Sequence, residues 1–185
     1  MSFSIESLAL PEVRVVTPRV HADDRGAFFE SWHAEKLAAV GFDEVFVQDN
    51  HSISSAGVLR GLHYQLPPAA QGKLVRVVRG AVFDVAVDVR RSSPTFGRWV
   101  GRTLSADNRE MLWVPPGFAH GFYVTSDGAE VVYKCTAPYI PEQDRVVRWD
   151  DPEIAVDWPL VGGRAPELSA KDAAAPLAAQ AEFFG

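Results

Sequence analysis

Between residues 74 and 136 the chain is a succession of short segments rich in Val, Phe, Tyr and Trp. They are Leu74–Val78, Val82–Val89, Arg98–Leu104, Arg109–Val114, Gly121–Thr125 and Val131–Thr136. Each is too short for a stable isolated helix, and β-branched and aromatic side chains suit a pleated, half-buried surface. The 14 Gly and 13 Pro among 185 residues are spread along the chain rather than gathered into a linker. Turns therefore recur at the spacing of a sandwich or barrel. Only Ser31–Val40, with Trp32, Leu37 and Val40 on a rough stripe, and the Ala-rich tail after Ser169 read as helical. The expected fold is mainly β, an antiparallel jelly-roll barrel, which removes strand edges, with a short helix in the N-terminal half and a C-terminal helical segment. A chain of this length is expected to be a single domain over 1–185, with its jelly-roll core at about 45–150 and a peripheral tail after about 173.

Charge narrows the partners. Lys+Arg 18 against Asp+Glu 24 gives a net charge of −6, which disfavours nonspecific binding to nucleic acid or anionic membrane. No run approaches 18 consecutive apolar residues, and the N-terminus lacks a basic stretch followed by an apolar one, so neither a spanning helix nor a signal peptide is expected. Cys135 is the single cysteine and cannot form an internal disulfide, and no Cys/His zinc spacing is present. A cytoplasmic location follows as the expectation. Only Lys36, Lys73, Lys134 and Lys171 are lysines, so arginine dominates the basic residues. Its planar fork suits phosphate and carboxylate recognition, although GC-rich coding produces the same bias.

In Ala81–Val89, Phe83, Val85, Val87 and Val89 share one face, and Val82, Asp84, Ala86 and Asp88 share the other. The first face is apolar core. The second either looks at solvent or lines a barrel mouth, and only the latter makes Asp84 a site residue. Extended backbone points Gly61, His63 and Gln65 one way, and likewise Phe118, His120 and Phe122, and Val131, Tyr133 and Cys135. Histidine is the natural base near neutral pH, tyrosine an acid for an enolate, and the Lys73 ammonium a stabiliser of a developing oxyanion. Each residue also has a plain structural reading, as a backbone-satisfied histidine, a core tyrosine or a solvated lysine. Two histidines with Asp84 could form a metal triad, but His63 and His120 stand alone in their segments, and no metal is expected. Ser169-Ala-Lys-Asp172 fits a capping box, which locally accounts for Asp172.

Several motifs occur together in order: Asp24-Arg-Gly-Ala-Phe-Phe-Glu30, Gln48-Asp-Asn50, Arg60-Gly-Leu-His-Tyr-Gln65, Lys73-Leu-Val-Arg-Val77 and Val82-Phe-Asp-Val-Ala-Val-Asp88. Ser93-Pro-Thr-Phe-Gly97, Pro116-Gly-Phe-Ala-His-Gly-Phe122, Tyr133-Lys134, Asp151-Pro152, Val156-Asp-Trp-Pro159 and Leu168-Ser-Ala-Lys-Asp172 follow. From residue 3 to about 175 this pattern resembles the dTDP-4-dehydrorhamnose 3,5-epimerase family. The resemblance implies a cupin-like jelly roll, a homodimer, no metal or organic cofactor, and a dTDP-4-dehydro-6-deoxyhexose substrate. It further implies His63 as catalytic base oriented by Asp172, Tyr133 as the acid on the opposite face of the sugar, and Lys73 as the stabiliser of the enolate oxygen. By the same resemblance Arg60 contacts the diphosphate region, with His120 and Asp84 also in the pocket. Arg25, Phe28, Glu30, Gln48 and Asn50 line the nucleotide site, some of them from the partner subunit, and Tyr139 lies near the nucleoside.

Relatives with the same motifs leave other outcomes open: a mono-epimerase acting at C3 or C5 alone, or a 3,4-ketoisomerase. A non-catalytic nucleotide-sugar binder is a further alternative, against which the combination of His63, Lys73, Tyr133 and Asp172 weighs. A metal-dependent cupin would carry stoichiometric iron, manganese or zinc. Elemental analysis of the purified protein is expected to find none of them, and a full equivalent would move the chain to that class.

Overall fold

The computed structural model describes residues 2–185. Its strands are β1 (Phe3–Ser7), β2 (Arg14–Pro18), β3 (His21–Asp23), β4 (Gly26–Phe28), β5 (Gln48–Ser55), β6 (Leu59–Gln65), β7 (Lys73–Arg79), β8 (Ala81–Asp88), β9 (Trp99–Ser105), β10 (Met111–Val114), β11 (Phe118–Val124), β12 (Gly128–Cys135) and β13 (Asp144–Val146). Two short helices, α1 (Ala34–Ala38) and α2 (Ala170–Ala173), complete the regular structure with three single 3₁₀ turns. The six Val- and aromatic-rich segments become β7 to β12, and α1 falls inside the expected Ser31–Val40.

One sheet runs β1-β2-β10-β7-β12-β5 and the other β13-β6-β11-β8-β9. Within β5 to β12 the antiparallel partners are β5 with β12, β6 with β11, β7 with β10, and β8 with β9. This is one long hairpin of four strand pairs, rolled so that successive pairs alternate between sheets, which is the jelly-roll order. No strand of one sheet pairs with a strand of the other among the described residues. The two sheets are joined by a shared core of Val75, Val77, Val82, Ala86, Leu112, Phe118, Phe122 and Val131.

Both faces of β8 are covered. Val85, Val87 and Val89 point away from the other sheet and pack with Leu59, Leu62 and Tyr64 under Trp158, Ala178, Ala181 and Phe183. Val82, Asp84 and Ala86 point between the sheets, and Asp84 is 0% exposed, so the solvent-facing reading of Asp84 falls. The tail also differs from expectation. It is neither a continuing helix nor peripheral. Pro176 lacks the N–H a helix needs and disfavours helical backbone at Ala175, so α2 ends at Ala173. The remaining residues lie over the apolar outer face of β6 and β8, with Phe184 bridged to Arg90. On the other side of the molecule, α1 and its flanks cover Phe3, Met111 and Trp113 with Leu37 and Phe42.

One irregularity positions the site. Along β11, His120 registers with His63 and Phe122 with Arg60, so two steps of β11 face three of β6. The extra residue is a β-bulge, and it overrides the strict alternation expected for Arg60–Gln65. Arg60 and His63 are thereby both registered against inner-face residues of β11. Gly61 occupies the bulge at φ +140°, and a Cβ there would lie 2.5 Å from Gly121 Cα. Gly61→Ala is expected to destabilise the fold by about 2 kcal/mol or more, from backbone strain and this collision. A denaturation midpoint unchanged from the parent protein would show that the bulge accommodates a side chain.

Candidate active site

The register of three strands builds one wall. Gln48 lies opposite Cys135, which lies opposite Lys73, and Asn50 lies opposite Tyr133, which lies opposite Val75. Val75 belongs to the central core and Tyr133 packs against it, so this polar ladder faces inward. The facing sheet contributes His63 from β6, and α2 contributes Asp172. These elements enclose a cavity of about 320 Å³ lined by Gln48, Asn50, His63, Lys73, Tyr133, Tyr139, Asp144 and Lys171. A larger groove of about 700 Å³ beside α1, under Trp32 and Val45, contains none of the candidate acid or base residues.

His63 Nε2 and Asp172 Oδ1 are 2.5 Å apart, with the carboxylate side chain only 3% exposed. Only the Ser169 half of the expected capping box forms: the Asp172 N–H donates to Ser169 Oγ at 3.1 Å, and the Asp172 carboxylate accepts from Ser169 Oγ at 2.8 Å rather than from its backbone N–H. The carboxylate that orients the histidine is thus itself held by the N-cap of its helix. Burial pushes His63 below its ordinary pKa, and the hydrogen bond and charge of Asp172 offset this only in part. Burial pushes Asp172 upward, but the hydrogen bonds to His63 and Ser169 outweigh it and hold the carboxyl below its ordinary value. The compatible state is a neutral imidazole donating Nε2–H to a carboxylate, with the Nδ1 lone pair free to accept a proton.

Lys73 is 9% exposed, and burial lowers its ammonium below the ordinary lysine value. Cys135, Asp144 and Asp84 favour its charge at longer range, and among the described residues it has no hydrogen-bonding or ion-pair partner. Burial raises Tyr133, which keeps it a phenol at neutral pH. Burial likewise raises Cys135, whose Sγ accepts from Asn50 Nδ2 at 3.5 Å. The wall thus presents one free cation and one phenol opposite a base.

The other expected residues divide into two groups. Gln48 and Asn50 line the cavity and bond each other at 3.0 Å, and Tyr139 sits at its mouth, its N–H donating to Gln48 Oε1 and its hydroxyl to Asp144 Oδ2, both at 2.9 Å. Arg60 reaches Ser54 Oγ at 3.0 Å, and His120 is tied to Asp84 behind the cavity wall. Arg25, Phe28 and Glu30 do not enter this chain's cavity. Strands β3 and β4 pair only with each other and project from the sandwich. Arg25 pairs with Asp23, Glu30 pairs with Lys36, and the Phe28 ring stands 70% exposed.

The sequence reading missed Gln65, Asp144 and Lys171. Gln65 ties down the cavity rim, donating to Ala69 O and Pro138 O and accepting from the Ile140 N–H. Its signal was its shared parity with His63. Lys171, which forms an ion pair with Asp144, adjoins Asp172 in the capping box. Asp144 carried no sequence signal.

A family model described as dTDP-4-dehydrorhamnose 3,5-epimerase matches residues 7–180. The chain is 58% identical over 178 residues to a dTDP-4-dehydrorhamnose 3,5-epimerase of Neisseria gonorrhoeae, covering 94% of this chain but 52% of that protein, so it spans about half of that relative's length. It is 55% identical to the enzyme of the same description from Pseudomonas aeruginosa, covering 96% of this chain and 97% of that one. The crystal structure of a dTDP-6-deoxy-D-glucose-3,5-epimerase from Legionella pneumophila, in complex with dTDP-4-keto-L-rhamnose, superposes with a TM-score of 0.89. That match is 50% identical and covers 95% of this chain and 92% of the other.

The His63 imidazole is expected to titrate below pH 6.5, as followed by NMR of histidine-labelled protein. In Asp172→Asn its midpoint should fall further, because burial then acts with less opposition. A midpoint that rises in this variant would contradict the assigned pairing.

Proposed function

The chain belongs to the dTDP-4-dehydrorhamnose 3,5-epimerase family, and from that premise we propose that it inverts C3 and C5 of dTDP-4-dehydro-6-deoxy-D-glucose, giving dTDP-4-dehydro-L-rhamnose. The observation that carries this reading is the opposed pair. His63 with Asp172 stands on one side of the cavity and Tyr133 on the other, with the unpaired Lys73 ammonium on the Tyr133 wall.

The chemistry follows from the substrate's C4 ketone, which acidifies the hydrogens on both C3 and C5. His63 takes a proton at Nδ1, Asp172 accepts the Nε2–H and stabilises the imidazolium, and Lys73 meets the enolate oxygen. Tyr133 returns a proton to the opposite face of the ring, and the configuration inverts. Repetition at the second carbon uses the same base, acid and cation once His63 has released its proton to solvent and Tyr133 has regained one, with the ring turned between them. No cofactor enters these steps. Arg60 is proposed at the diphosphate, and Gln48, Asn50 and Tyr139 toward the nucleoside. The chain is further proposed to act as a homodimer, a reading supported by Arg25, Phe28 and Glu30, which lie outside this chain's own cavity on or beside an exposed hairpin. A cytoplasmic location fits the single buried cysteine, and among the described residues no helix is long and apolar enough to cross a membrane.

The test incubates the pure protein with dTDP-4-dehydro-6-deoxy-D-glucose in D2O and follows C3 and C5 by NMR, trapping the product with a reductase. Deuterium at both carbons with an L-rhamno product is expected. Entry at one carbon alone would assign a mono-epimerase, and no entry would overturn the enzymatic reading. His63→Ala should abolish exchange at both positions. Tyr133→Phe should slow inversion by about 10²–10⁴-fold while leaving some exchange.

A further inference from the structure

Asp84 takes no part in these proton transfers, yet it is fully buried, on the face of β8 that looks toward the other sheet. Its Oδ1 is fixed by His120 Nε2 at 2.5 Å. Its Oδ2 is buried and lacks any hydrogen-bond partner among the described residues. An unmet carboxylate oxygen in such a place is costly, because desolvation has removed its water and nothing has replaced it. Lys73, on the facing sheet, lines the cavity and has no hydrogen-bonding or ion-pair partner among the described residues. The charge of Asp84 favours the charged form of Lys73, so the two groups of opposite sign lie within each other's field.

We propose that Asp84 is the positioning residue for Lys73: His120 anchors one carboxylate oxygen, and the charge of the other holds the ammonium at the cavity wall from a distance, leaving its hydrogens for the substrate's carbonyl oxygen. The aim of Lys73 at that oxygen rests on the epimerase reading; the Asp84–Lys73 link does not. The arrangement answers an electrostatic difficulty of the reaction. Cys135 on β12 and Asp144 on β13 also favour the ammonium, whereas Lys171 of α2 opposes it. When His63 takes a proton, a second cation appears in the same cavity. The Asp84 carboxylate keeps Lys73 charged at that moment, which is when the enolate needs it.

The chain has four lysines, so protein labelled with ¹³C at lysine Cε gives few signals, and Lys73→Met identifies that of Lys73. In Asp84→Asn the Lys73 midpoint is expected to fall by about one pH unit or more, with the basic limb of kcat moving the same way and KM little changed. A folded Asp84→Asn protein with an unmoved Lys73 midpoint would overturn the proposal. A shifted midpoint in a protein whose parent exchanges no deuterium would overturn the epimerase reading and leave the link standing. Should Asp84→Asn not fold, His120→Gln serves: the carboxylate keeps its charge but loses its anchor. There kcat should fall by about tenfold with the Lys73 midpoint held, and an unchanged kcat would count against the proposal.

Discussion

The contact between His63 and Asp172 joins residues 109 positions apart in sequence, and much of the molecule exists to hold it. Its two sides have unequal support. His63 sits in a strand hydrogen-bonded on both edges, to β11 and β13. Asp172 sits in a four-residue helix, far below the length at which a helix holds itself together. What fixes that helix is the Ser169 cap at one end and Pro176 beyond the other, followed by a tail whose Ala178, Ala181 and Phe183 are pressed onto the outer face of β6 and β8. The apolar burial of a segment with no chemistry of its own is thus what sets the orientation of His63.

A single physical cause then prepares three different groups. Burial disfavours whichever form of a side chain is charged. It lowers His63, so the ring is a base rather than an imidazolium. It raises Tyr133, so the phenol keeps the proton it is proposed to give. It lowers Lys73, and Asp144 and Asp84 oppose that shift without touching the ammonium. An exposed surface could not provide all three, since water would screen the lysine and relax the other two toward their ordinary values.

The parts of this arrangement that could be read from the sequence are those governed by local periodicity. The strands β7 to β12 follow from β-branched alternation, and the Ser169 cap from its spacing to Asp172. Asp84 was placed on the correct face of its strand, but alternation alone could not say whether that face met solvent or the opposite sheet. The family resemblance supplied the roles that periodicity could not. What escaped was set by tertiary context. The bulge at Gly61 breaks the alternation that would have put Arg60 on the face opposite His63. The tail was misjudged because its alanines suit a helix, while the demand to cover Val85, Val87 and Val89 arises only once the sheets are assembled. Asp144 gains its place solely because β13 pairs with β6 at Gln65.

The jelly-roll order itself suits a reaction that must work on two faces of one ring. Because successive strand pairs alternate between sheets, residues of neighbouring strands in the chain end on opposite walls: His63 on β6, Lys73 on β7 and Tyr133 on β12. A donor and an acceptor therefore face each other across the interior without either needing a long loop. The same topology leaves β5 at the end of its sheet, with Ile53 exposed on it and Val45 and Val47 exposed just before it. An edge strand carrying apolar side chains invites a further strand or a cover. The hairpin of β3 and β4, holding Phe28 clear of its own sandwich, is a second surface that gains by being covered. Both features favour the proposed homodimer, in which the nucleotide end of the site would be completed by a second copy while the proton chemistry stays within one.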